Sequence, residues 1–98
     1  MKSIIQSEKE CYFTQRTDNL HEHHVFGGRN RKLSEKYGLK VWLTGNLHNQ
    51  SKYGVHGKDG HELDKQLKSE VQQIAMKHYN WSVEDFIRIF GKNYIEED

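Results

Sequence analysis

The chain has 98 residues and a formal charge of +1, from 15 Lys and Arg against 14 Asp and Glu, and 34% of it is hydrophobic. That length holds one domain with a small core, since a single core usually needs on the order of 100 residues, and near-neutral charge means that any nucleic-acid partner must be met by a local patch. No apolar run approaches the roughly 18 residues of a membrane span, and Met1-Lys2-Ser3-Ile4-Ile5 meets charge too soon for a signal-peptide core. The expectation is a soluble, cytoplasmic protein with no membrane partner.

Residues 1–19 read as an arm ending in the turn Thr17-Asp18-Asn19. Its Cys11 is the single cysteine, which cannot form an internal disulfide or, alone, a Cys-rich zinc site. Leu20 to Phe26, closed by Gly27-Gly28, predicts a first strand. A short helix follows over Arg29 to Tyr37, with Asn30 as N-cap and Gly38 as its stop. Leu39 to Leu43 is the second strand, after which Thr44 caps a short helix through Tyr53, stopped by Gly54. Gly54, Gly57 and Gly60 make a loop. From His61, Leu63, Leu67, Val71, Ile74, Ala75 and His78 recur at helical spacing and predict a long amphipathic helix with His78 packed in the core. Ser82 with Asp85 resembles a capping box that opens a helix burying Val83, Phe86, Ile89 and Phe90 before Gly91. Trp42 and Trp81 also read as core. The end, Ile95-Glu96-Glu97-Asp98, is expected to fray.

Seven histidines are the compositional anomaly. Neutral imidazole binds divalent transition metals, and a histidine near its ordinary pKa can take a proton from water; a metal-assisted hydrolase needs both. His23 and His24 are adjacent, so a regular strand sends them to opposite faces, unless Gly27-Gly28 lets the strand end twist. His48-Asn49 and His56 follow the second strand, where a helix and loop could return them towards the hairpin. His21 alternates away from the proposed base His24, and His61 reads as a helix-start residue, so both are left outside the site. Glu22 could orient a histidine or simply face solvent.

The segment LHEHHVFGGRNRKLSEKYGLKVWL, followed by HN and GVH, resembles the HNH, or ββα-metal (His-Me finger), nucleases, in particular small phage and prophage members. The resemblance spans about Cys11 to Tyr94. It implies an α+β single domain whose ββα-metal core covers about 11–60 and whose C-terminal helices cover about 61–94. It further implies a phage-encoded protein working in a bacterial host, an endonuclease that hydrolyses DNA phosphodiester bonds with one divalent ion. On the matching positions His23 and His56 would ligate the metal, His24 would be the general base, and His48, with Asn49 beside it, would orient base or phosphate. Magnesium, manganese, nickel, cobalt and zinc all remain open, since imidazole-rich sites suit the later ions better than magnesium. Relatives often carry a CxxC before the first strand and a Cys with a nearby His or Cys after the second, together forming a structural zinc clip. Here those positions read Cys11-Tyr12-Phe13-Thr14 and Thr44-Gly45-Asn46-Leu47. No structural zinc is therefore expected, and packing among Phe13, Leu43 and Leu47 is expected in its place.

Arg29, Arg31, Lys32, Lys36 and Lys40 against Glu35 make a local basic run, read as a substrate-binding surface for DNA phosphates with little sequence preference; an ordinary solvated helix face is the other reading. The rival function is a non-catalytic DNA- or protein-binding module on the same scaffold. A partner-dependent accessory to a phage or host recombination protein is a third. Both monomer and homodimer are open.

Overall fold

Residues 1–95 are described by a computed structural model. The order is β1 (Leu20–His24), α1 (Arg31–Tyr37), β2 (Lys40–Thr44), α2 (Gly45–His48), α3 (His61–Tyr79) and α4 (Val83–Phe90), with a 3-10 turn at Gly28–Asn30. This is an α+β arrangement around one two-stranded antiparallel sheet. The expected fraying at 96–98 lies outside the described residues.

Register places His23 opposite Val41 and His21 opposite Leu43, with Glu22 opposite Trp42 and His24 opposite Lys40. Because side chains alternate along a strand, His21 and His23 share the inner face with the buried Val41 and Leu43. Glu22, His24, Lys40 and Trp42 share the outer face. β1 stops two residues earlier than expected. The Val25 amide still donates to the Leu39 carbonyl (3.0 Å), but both backbone groups of Phe26 are taken by the Ser34 hydroxyl, which accepts from its N–H and donates to its carbonyl. β2 in turn runs one residue later than Leu39 to Leu43.

α1 ends as expected, on Gly38 in the left-handed region (φ 71°). A Cβ there would also stand 2.6 Å from the Lys2 carbonyl, so glycine lets the arm lie close. Asn30 occupies the N-cap position as expected but makes no side-chain cap; its side-chain amide instead donates to the Phe90 carbonyl (2.9 Å), tying this turn to α4. Thr44 likewise makes no side-chain cap, and α2 ends at His48 rather than Tyr53. The loop accounts for the early stop. Val55 and His56 donate their amides to the carbonyls of Leu47 and His48 (2.8 and 3.0 Å), filling acceptors that a longer helix would have used.

On α3, Leu67, Val71 and Ala75 are buried as the spacing predicts, but Ile74 and His78 face outwards and Gln72 is buried instead. The buried arc is turned slightly from the predicted stripe, and Gln72 is satisfied there: it accepts from the Tyr94 amide and donates to Asn93. His78 packs only edge-on against Tyr79 at the surface. The capping box that opens α4 is formed in both directions between Ser82 and Asp85. α4 brings Phe86 and Phe90, stacked at 4.6 Å, against Phe26. Trp42 and Trp81 are half-buried rather than core, Trp42 lying under the Lys9 ammonium and Trp81 stacked on Tyr79.

The arm covers the free edge of β2. Tyr12 donates to the Trp42 carbonyl and the Gln6 side chain accepts from the Trp42 amide, which supplies the exposed strand edge with partners. Cys11 is fully buried in the core, and Phe13 and Leu47 are partly buried against the core cluster to which Leu43 belongs. No helix among the described residues is long and apolar enough to cross a membrane.

Candidate metal centre

Three elements converge on one spot. β1 presents His23 on its inner face, the last residue of α2 presents His48, and the returning loop presents His56 beside it. Gly54 makes that return possible: a Cβ there would stand 2.8 Å from the carbonyls of Asn46 and His48. The result is three ring nitrogens within 4.8 Å of one another, with ring centroids 4.7 to 5.1 Å apart.

The His23 ring is buried, and its Nε2 is the one buried side-chain polar atom among the described residues without a hydrogen-bond partner. Leaving such a group unsatisfied costs on the order of 1–3 kcal/mol, and a ring nitrogen of His23 lying within 4.8 Å of those of His48 and His56 gives the three the donor set of a metal-ligand cluster. Burial, then the neighbouring His48 and His56 and the Lys68 charge, push His23 down to about 3. Burial with His56 and His21 pushes His48 down to about 4. Both rings are therefore neutral at neutral pH, the form that donates a lone pair to a metal. The residues fit a divalent ion with nitrogen affinity, and three protein ligands would leave positions for other groups.

His21, set aside in the sequence reading, belongs to this face. Its Nδ1 lies 2.9 Å from the Nδ1 of His48, a contact of the kind that fixes the tautomer of a ligating histidine. Asn49, expected beside His48, is exposed and is not brought into the group. His61 is exposed at the start of α3.

His24 stands apart from the three. β1 stays paired through His24, so the strand-end twist expected to let one histidine bind metal while the other faces a substrate phosphate is not seen, and the two lie on opposite faces. The side chain of His24 is 10% exposed, with Nε2 3.4 Å from a Glu35 carboxylate oxygen. Glu22, His24 and Glu35 form a second close group of possible ligands, but this one already holds a cation: Lys40 donates to both Glu35 oxygens and lies 3.7 Å from Glu22. Lys40, the Met1 amine and His24 hold Glu35 well below the usual carboxylate range.

A cleft of about 250 Å³ opens beside His23 and His56. Gly27, Gly28 and Asn30 form one wall, and Asp64, Lys68 and Tyr94 another. Arg29, Arg31, Lys32 and Lys36 are exposed, on the turn at this wall and the helix after it. Lys40 is not part of that surface, being buried and paired. The Cys11 thiol is lowered: burial, which acts to raise it, is outweighed by hydrogen bonds from the Thr14 side chain and the backbones of Thr44, Thr14 and Phe13.

The fold and site together define a small α+β domain with a trihistidine cluster able to hold a metal ion. Comparison with known proteins found no matching family model, no matching curated relative and no matching solved structure.

Proposed function

We propose that this protein is a metal-dependent endonuclease of the HNH, ββα-metal type, acting on DNA phosphodiester bonds. The observation that carries the reading is buried His23, whose Nε2 has no hydrogen-bond partner and whose ring stands 5.1 and 5.0 Å from those of His48 and His56, beside a cleft walled by Gly28 and Asn30, the chain neighbours of exposed Arg29. A divalent ion held by these histidines supplies Lewis-acid stabilisation of charge on the phosphate and the departing oxygen.

The chain's own residues divide the remaining work. His23, His48 and His56 form the ligand set, so His48 takes a ligand's place rather than the purely orienting role suggested by the resemblance. His21 fixes the His48 ring. Arg29, Arg31, Lys32 and Lys36 draw the phosphate backbone onto the rim, through contacts that position without reading sequence. In-line displacement sets the entering and leaving oxygens on opposite sides of phosphorus, so the base belongs beside the ligand set and not within it. His24 ends β1 next to His23 but on the opposite face of the sheet, with Nε2 directed to Glu35; in this reading its ring swings round the strand end towards the bound phosphate and takes the proton from the attacking water.

Cleavage of supercoiled and single-stranded DNA, with magnesium, manganese, nickel, cobalt or zinc and with EDTA, tests the reading. Metal-dependent cutting is expected, abolished by His23→Ala and His56→Ala. His24→Ala, with metal binding intact, should lose about 100-fold or more. DNA binding without cutting under any metal would favour the binding-module reading. Full activity of His24→Ala would remove His24 from the mechanism.

A further inference from the structure

The cleft contains a cation that the ligand set does not explain. Asp64 and Lys68 lie one turn apart on α3, outside the hairpin and loop that supply the histidines, and both line the cleft with His23 and His56. Lysine on the polar side of a helix ordinarily extends into water. Lys68 does not: its side chain is 24% exposed, its Nζ donates to Asp64 Oδ2 at 2.9 Å, and its ammonium stands 5.7 Å from the centre of the Tyr94 ring. Asp64 is 22% exposed.

Neither residue serves the ion. The mutually close donors among the described residues end at the three histidines, and an ammonium beside a dication repels it. Two positive centres in one cleft, with one carboxylate between them in charge, attract an anion that can touch both. Lysine binds phosphate as a compact point charge, and a phosphodiester has two non-bridging oxygens to share between the ion and the ammonium.

We infer that Lys68 binds the scissile phosphate, held in place by Asp64, so that α3 completes a site begun by the hairpin. The inference rests on the metal-dependent phosphodiesterase reading and names the residue that recognises the phosphate there. It separates Lys68 from the basic rim, where Arg29, Arg31, Lys32 and Lys36 would contact phosphates on either side of the cut.

The test uses cobalt(II) and inorganic phosphate on the whole chain. Cobalt uptake is followed by calorimetry, and phosphate binding to the cobalt-loaded protein by the visible absorption of cobalt. Lys68→Met keeps the apolar stem, and Lys68→Arg keeps the charge. Wild type and both variants are expected to take up one equivalent of cobalt with the same helical circular dichroism. Phosphate affinity should fall by about tenfold or more in Lys68→Met and be largely restored in Lys68→Arg. Equal phosphate affinity in wild type and Lys68→Met, with cobalt bound in both, would overturn the inference alone. Failure of the wild type to take up cobalt would overturn the metal-dependent reading and this inference with it.

Discussion

Burying His23 makes stability depend on pH. Its folded value of about 3 lies below the ordinary 6.5, so between those two values the unfolded chain takes up a proton that the folded chain refuses. Stability contributed by the neutral ring is therefore present above about 6.5 and is lost as pH falls towards 3, with a limiting slope of about 1.4 kcal/mol per pH unit for one proton. His48 acts in the same direction. Urea midpoints of metal-free protein at pH 7.5 and pH 5 should show a clear loss, smaller in His23→Leu; identical losses in both would mean that His23 is not the titrating group. At this scale His23, His48 and His56 were visible in the sequence, because one lies on the first predicted strand and the other two follow the second, His56 within the glycine-rich return. His21 was harder to place, since the alternation that separates it from His24 is what puts it beside His23. Asp64 and Lys68 were hidden altogether: an acid and a base four apart look like any solvated helix pair.

Elements position these residues, and the loop that delivers His56 does so through a glycine. Gly54→Ala would press a Cβ against the carbonyls of Asn46 and His48, displacing the loop that delivers His56. Metal affinity should drop by at least about tenfold although no ligand is changed; unchanged affinity would show that the loop can reach its position another way. Ser82→Ala removes one half of the capping box on α4, which should cost about 1 kcal/mol by thermal or urea unfolding while leaving metal binding unchanged. A loss of metal binding instead would couple α4 to the centre. The capping box and the terminal glycines of α1 and α4 were legible because they act within a few residues. The early end of α2 was not: its last carbonyls are claimed by residues 55 and 56, a contact that exists only once the loop has folded back. The inward set of α3 was only partly legible, because Gln72 is admitted to the core by Asn93 and Tyr94 from another part of the chain.

For the molecule as a whole, the radius of gyration of 13.0 Å matches the roughly 13 Å of a compact 100-residue domain, and the arm is part of that globule. Cys11, fully buried on the arm, reports on its docking. The thiol should react with a disulfide reagent only at the rate of opening, and much faster in urea; immediate reaction in native buffer would mean that the arm is free. The basic rim predicts DNA affinity that falls steeply as salt rises, despite a net charge of only +1. A salt-insensitive affinity would place DNA elsewhere. The central claim, that His23, His48 and His56 together hold one divalent ion, is tested most directly by imidazole nitrogen NMR of 15N-labelled protein titrated with zinc. The ring signals of these three should move to metal-bound positions and saturate at one equivalent, while those of His61 and His78 stay in place. No movement of the three, or binding that follows His61 and His78 instead, would contradict it.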